Sequence, residues 1–214
     1  ETVDWLLREM RVAGGAFAAS LDADSDGEEG LFYTWNRQEI ETVLGDDSAL
    51  FFKYFTLSAP HGWEGKPVVH QTRDQQAQGV ADREKLIPLK ARLLAVREER
   101  VRPGLDAKTL TDWNGLMIAA LAEAGRSLGR PDWTEAAAKA FAHISGASRD
   151  GRLPHSMLGT RKLFPALSSD YAAMANAGIS LFEASGDWSY IDQAKQFIEQ
   201  LDHWHADDAG AGYY

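Results

Sequence analysis

The chain has 214 residues, which suits one large domain or two small ones and can bury a sizeable core. Its 32 acids against 22 bases give a formal charge of −10, which disfavours nucleic acid and anionic membrane as partners because phosphate binding needs a basic surface. There is no cysteine, so disulfides, thiolate metal sites and thiol catalysis are excluded within the chain, and no apolar run approaches the roughly 18 residues of a membrane span.

The first residues read as helix (Val3, Leu6, Leu7, Met10), and the last, Asp207 to Tyr214, stop on an apolar pair. Both ends look cut, and the expectation is a fragment of a longer, cytoplasmic protein; no signal-peptide pattern opens the chain. From Leu21 to Trp35 five carboxylates (Asp22, Asp24, Asp26, Glu28, Glu29) fall within eight residues, then the chain turns at Gly30 into Phe32, Tyr33 and Trp35. Asn36 and Glu39 make a capping-box pattern for a helix that Gly45 stops. A short helix near Asp47 to Phe55 comes next. The loop His61 to Asp74, with Trp63 and Glu64, is long enough to be functional. A longer helix spans roughly Asp82 to Arg100, with Leu86, Leu89, Leu93 and Leu94 on one side.

The second half carries a degenerate repeat. DWNGLMIAALAEAGRSLG from Asp112 and DYAAMANAGISLFEASG from Asp170 each open on an acid and an aromatic and close on glycine. In the first, Trp113, Leu116, Met117, Ala120, Leu121, Ala124 and Leu128 trace a helical stripe; in the second, Tyr171, Met174, Ala175, Gly178, Leu181 and Phe182 do. Their Ala and Gly content predicts buried inner helices. A second helix follows in each unit, capped by Asp132 (with Glu135) and by Asp187, and running through Phe141 and Ile144 or through Ile191, Ile198 and Leu201. Helix pairs recurring at more than 50 residues predict stacked α-hairpins, a solenoid or a closed ring. Gly14 to Phe17, Gly151 to Leu153 and Gly210 to Tyr213 read as short strands or hairpins joining the pairs. The acidic segment is expected to be the longest such excursion, and a structural corner stays open as its reading beside a cation loop and a carbohydrate-type cleft.

Asp22-x-Asp24-x-Asp26-Gly27 fits the first half of a helix-loop-helix calcium loop, but Tyr33 stands where the bidentate glutamate belongs and the flank reads as strand. A looser cation site on Asp22, Asp24 and Glu28 stays open beside it. None of the six histidines has metalloprotease spacing; His155, on an inter-hairpin excursion, is the functional candidate among them. Ser156 lacks a nucleophile-elbow context, and no phosphate-cradling glycine motif is present. Carboxylates remain. Sugar hydrolysis needs two, one acid and one base or nucleophile. Asp22, Asp24, Glu28, Glu64 and Asp170 are the catalytic candidates, beside glycine or aromatics. Glu29, Tyr33, Trp35, Trp63, Trp113, Asn114, His155 and Tyr171 are candidates for holding a substrate. Asp112 and Asp170 have a plain alternative role, stabilising a helix macrodipole. No metal or other cofactor is expected.

LDADSDGEEGLFYTW, the WEGKPV segment (Trp63 to Val68), RVRPGLDAKTLTDWNGLMIAALAEAG (Arg100 to Gly125) and SDYAAM (Ser169 to Met174) occur in this order. They resemble the YyaL-like family, thioredoxin-domain proteins related to spermatogenesis-associated protein 20, over nearly the whole chain. The resemblance implies a mainly all-α fold: residues 1–214 as a single fragment of an (α/α)6 toroid, similar to six-hairpin glycosidases and N-acylglucosamine 2-epimerases, as a partial ring with short β-hairpin excursions. It also implies a thioredoxin-like domain as partner in the full-length protein. Asp112 departs from the serine usual in that motif. Two functions stay open. One is a carbohydrate-active module, glycosidase- or sugar-epimerase-like, with a saccharide in an end cleft. The other is a non-catalytic binding or scaffold module serving the thioredoxin-like domain.

Overall fold

Glycine and alanine on two long helices decide how the second half packs. The computed structural model describes residues 1–58, 66–71, 80–207 and 212–214, with backbone alone over 80–83. It is mainly helical: α1 (Thr2–Glu9), α2 (Arg37–Leu44), α3 (Ser48–Tyr54), α4 (Val80–Glu98), α5 (Thr111–Ser127), α6 (Pro131–Ser145), α7 (Ser168–Ser185) and α8 (Ser189–His205). The strands are short: β1 (Ser20–Leu21), β2 (Asp24–Ser25), β3 (Glu28–Glu29), β4 (Phe55–Leu57), β5 (Val69–Gln71), β6 (Leu105–Asp106), β7 (Thr109–Leu110), β8 (Ser156–Leu158) and β9 (Arg161–Leu163). The chain forms two compact units, Glu1–Ser20 with Leu105–Tyr214, and Leu21–Gly104. Among the described residues no helix is long and apolar enough to cross a membrane.

In the first unit α5–α6 and α7–α8 are two helical hairpins, and α5 packs along α7. A methyl group on Gly115 would come within 2.7 Å of the Ala173 backbone, and one on Gly178 within 2.9 Å of the Tyr190 carbonyl. Glycine therefore sets the close approach of α5 to α7 and of α7 to α8. Tyr171, Met174, Ala175, Gly178 and Leu181 are buried on α7, as the spacing predicts. On α5 the expected stripe is corrected. The buried residues are Thr111, Asn114, Gly115, Ile118, Leu121, Ala122 and Gly125, while Trp113 and Leu116 are exposed. The helix meets α7 at Gly115, where the missing side chain lets two backbones approach, so Ile118 and Leu121 face the core while Trp113 and Leu116 are turned outward.

Helix starts also differ in detail. Asp132 does not cap α6; it pairs with the Arg130 guanidinium at 2.6 Å, and Pro131 opens the helix with a preset φ and no N–H to satisfy. Asp187 Oδ1 does accept the Ser189 N–H at 2.9 Å. The inter-hairpin excursions close on single antiparallel bridges, Arg11 with Phe17, Arg149 with Arg152 and Ala206 with Tyr213; Gly210 and Ala211 lie outside the described residues. Between α6 and α7 the chain forms β8 and β9, which pair antiparallel, and β8 also pairs with β7 ahead of α5, Leu110 opposite Ser156 and Ser156 opposite Leu163.

The second unit has its own core of Trp35, Ile40, Leu44, Phe51, Tyr54, Leu86, Leu89 and Leu93. Leu94, expected on that side of α4, is exposed instead. The capping box of α2 is present: Glu39 N–H donates to Asn36 Oδ1 at 2.9 Å, and Asn36 N–H to Glu39 Oε2 at 2.8 Å. Gly45, with φ 57°, ends the helix.

Candidate functional site

Asp170 stands in the first turn of α7 and is fully buried. Its Oδ2 accepts the Leu167 N–H at 2.7 Å, and its Oδ1 accepts the Asp112 N–H of the α5 first turn at 2.9 Å. One carboxylate thus caps two adjacent helices, where orphan N–H groups and the macrodipole both favour an anion. His155 Nδ1 lies 2.9 Å from the same Oδ2. With Asp170 ionised, its oxygens only accept, and Nδ1 is then the donor of this bond. Burial raises the Asp170 carboxyl above its ordinary value, against the opposing pull of the Leu167 and His155 hydrogen bonds, and the Asp112 charge adds to the rise.

The His155 backbone is held from two sides. Its N–H donates to the Leu163 carbonyl at 2.8 Å and its carbonyl accepts the Thr111 N–H at 3.0 Å. Thr111, itself buried, donates its hydroxyl to the Pro154 carbonyl at 2.5 Å. The imidazole is half-buried, its side chain 27% accessible, so it is anchored at the backbone and at Nδ1 yet open to solvent. A histidine anchored in this way beside a carboxylate is able to act as an oriented general base.

The other predicted residues of this unit divide. Trp113 follows Asp112 and is exposed, while Tyr171 is buried with its ring 5.7 Å from that of His205. Asn114 is buried and fully engaged. Its Oδ1 accepts the Phe17 N–H at 2.8 Å and its Nδ2 donates to the Phe17 and Leu110 carbonyls at 3.0 and 2.9 Å. Asn114 therefore pins the 11–17 excursion to the start of α5, a structural task that its polarity alone does not reveal. Thr111 and Leu167 were not predicted. Leu167 contributes only backbone, which no side-chain pattern announces, but Thr111 directly precedes Asp112 in the motif.

In the second unit Asp24 pairs across from Glu29 and Ser25 from Glu28 in a two-stranded hairpin. Asp26 (φ 53°) and Gly27 (φ 79°) form its turn, the Asp-Gly signature of a tight hairpin with two positive φ angles. The half-match to a calcium loop is thus a hairpin turn, and among the described residues no three His, Asp or Glu groups assemble where a metal ion would sit. Asp22, Asp24 and Glu28 are exposed. Glu28 pairs with Lys66 at 2.8 Å, whose hydrogen bond and charge hold the Glu28 carboxyl below its ordinary value. Lys66 also donates to the Glu29 carbonyl at 3.0 Å.

Tyr33 is exposed and packs edge-on to Phe32, with ring centres 4.9 Å apart. Trp35 is buried under the Arg100 guanidinium, 4.1 Å from its ring centre. Arg100 Nη1 donates to the Leu31, Phe32 and Thr34 carbonyls at 3.1, 3.2 and 2.6 Å. A cavity of about 500 Å3 beside this clamp is lined by Trp35, Arg100, Asp26, Glu39, Lys66 and Glu99 among others; Asp22, Asp24 and Glu28 do not line it. Trp63 and Glu64 lie outside the described residues.

No family model matches the chain. Over 97% of its length the chain is 30% identical to uncharacterized protein B0495.5 of Caenorhabditis elegans, of which it covers 34%. Over 99% of its length it is 23% identical to spermatogenesis-associated protein 20 of Homo sapiens and to that of Mus musculus, covering 33% and 32% of them. The chain spans about a third of the length of the curated relatives it matches. These relatives bear out the resemblance read from the acidic segment and the LTDWNGL motif.

Proposed function

We propose, with the kinship to spermatogenesis-associated protein 20 as premise, that this chain is part of an α/α toroid in which His155 moves a proton on a bound saccharide. The observation that carries this is the buried Asp170 carboxylate, which lies 2.9 Å from Nδ1 of a His155 side chain that is itself 27% accessible. The pair stands at the N-terminal ends of α5 and α7; related toroids bind sugars at the ends of their inner helices, and carrying that to this chain is fold-level analogy. Two apposed carboxylates would make a glycosidase. Asp170, buried and accepting from three donors, is a positioning residue, so the epimerase-like form fits better than the hydrolytic one. In that form Nε2 takes the proton from the carbon next to an open-chain carbonyl. The bonding pair moves into an enolate, and the imidazolium, steadied by Asp170, returns the proton. This reading asks nothing of Asp22, Asp24 or Glu28. The attached thioredoxin-like domain belongs to the same proposal as a partner.

A binding module without chemistry is the second reading, favoured by the exposure of Trp113 and Leu116 on α5. One experiment separates them. The full-length protein is incubated in deuterated water with a panel of reducing saccharides, and loss of the proton signal next to the carbonyl is followed by NMR. Exchange that falls about 100-fold or more in His155→Gln supports proton transfer. Binding without exchange supports the second reading, and neither binding nor exchange across the panel overturns both.

A further inference from the structure

Two cavities of the second unit meet along the start of α2 and the end of α4. Trp35, Asn36, Glu39, Glu99 and Arg100 line both, so the two form one groove. The first, of about 500 Å3, extends to Asp26, Leu31, Lys66 and Pro67, and the second, of about 460 Å3, to Val43 and Val96. The lining decides between three ligand chemistries. An anion needs a cation to spare, and both cations of the groove are engaged. Lys66 pairs with Glu28 at 2.8 Å and donates to the Glu29 carbonyl. Arg100 Nη1 donates to three carbonyls, and its Nη2 lies 3.7 Å from Glu39 Oε1. The neighbouring bases Arg97 and Arg102 both pair with Glu98 and line neither cavity. A sugar needs an open aromatic face, whereas Trp35 is 7% exposed and lies under the Arg100 guanidinium.

A cation finds two carboxylates. Glu39 is spent on the Asn36 N–H and on Arg100. Asp26 and Glu99 are exposed, line the same cavity, and carry no ion pair or side-chain hydrogen bond among the described residues. Glu99 also directly follows α4, whose carbonyl end bears the negative pole of the helix dipole. The cavity offers Leu31, Pro67 and Val101 to a hydrocarbon stem. Rounded, it is roughly 10 Å across, and the nitrogens of an extended four-carbon diamine stand roughly 6 Å apart.

We infer that this groove binds an aliphatic polyamine, one ammonium at Asp26, another at Glu99, and the methylenes along the apolar wall. The site is built within the second unit alone and is independent of the His155 reading. Exposed ion pairs are individually weak, so the signature is the gain from a second ammonium.

The test is calorimetry on the full-length protein at low salt with butylamine, 1,4-diaminobutane and inorganic phosphate. The diamine should bind roughly fivefold tighter than the monoamine, and phosphate should not bind at the groove. Asp26→Asn and Glu99→Gln each bring the diamine down to the monoamine level. Both positions are exposed, and asparagine accepts the φ of 53° that Asp26 holds. Asp46→Asn removes the same charge from an exposed carboxylate that lines neither cavity, and keeps the gain. Equal binding of the two amines, or binding of neither, overturns the inference. So does a gain that survives in Asp26→Asn and Glu99→Gln, or one that Asp46→Asn abolishes as well, because net charge would then explain it. Phosphate binding that Arg100→Gln removes would make the groove an anion site and overturn it too.

Discussion

Replacing Asp170 with asparagine removes one acceptor from a place where three donors converge. The Asp112 N–H points at Oδ1, and the Leu167 N–H and His155 Nδ1 point at Oδ2. An asparagine loses least by keeping its oxygen at the Oδ2 position, which leaves its amide nitrogen against the Asp112 N–H. One N–H without a partner costs about 1–3 kcal/mol, and weakening two charge-assisted bonds to neutral ones costs about 1 kcal/mol more. The buried charge is itself unfavourable, which its raised carboxyl records, and its removal offsets part of this. The net expectation is a loss of about 1–3 kcal/mol at pH 7. A raised folded value means the folded chain holds this proton more tightly than the unfolded chain. Asp170's contribution is therefore full below the ordinary carboxylate value near 4, and it falls as pH rises through the folded value. The gap between parent and Asp170→Asn should accordingly be widest at low pH and narrow upward. Urea denaturation from pH 4 to 8, followed by tryptophan fluorescence, measures it. A variant as stable as the parent at pH 7, or a gap that widens with pH, would refute the reasoning.

Asn114→Leu should orphan the Phe17 N–H and two carbonyls in the interior, at a cost of about 2–4 kcal/mol visible as a lower thermal midpoint. An unchanged midpoint would mean that solvent or a shifted backbone satisfies them. Gly115→Ala should force α5 and α7 apart, since the new methyl meets Ala173 at 2.7 Å; a loss of about 1–3 kcal/mol is expected in the same melt. Gly27→Ala meets nothing within 4 Å, so its effect is backbone strain alone at φ 79°, about 1 kcal/mol. Gly27→Asn, which tolerates that conformation, should recover most of it, and equal losses in the two variants would count against the turn.

The sequence made the helix starts legible where a side chain announces itself. Asp170, Asp187 and the Asn36–Glu39 box all act on backbone N–H groups near their own positions. Asp132 misled for the same reason in reverse, because Arg130 two residues earlier competes for its carboxylate. The α5 stripe was misread because hydrophobic spacing weighs large side chains, whereas a helix crossing built on Gly115 is decided by the absence of one. The Asp-rich segment offered its acids as ligands, yet the pairing of β2 with β3 uses Asp26 and Gly27 only as a turn. His155 was singled out from its place on an excursion. Its link to Asp170 spans 15 residues and a change of element, and its other ties run through backbone groups that no residue type encodes.

The Arg100 clamp carries a consequence for timing. Its bonds to the Leu31, Phe32 and Thr34 carbonyls join positions 69, 68 and 66 residues apart, so the 30–34 turn gains these three acceptor contacts only after that length of chain has closed. Loop closure of this size is entropically unfavourable until α4 is in place to repay it. The turn is thus a late-forming segment whose permanence is borrowed from a helix distant in sequence. Its amide protons, Tyr33 and Thr34 among them, should exchange with solvent at the pace of the α4 C-terminus rather than at the pace of an exposed loop.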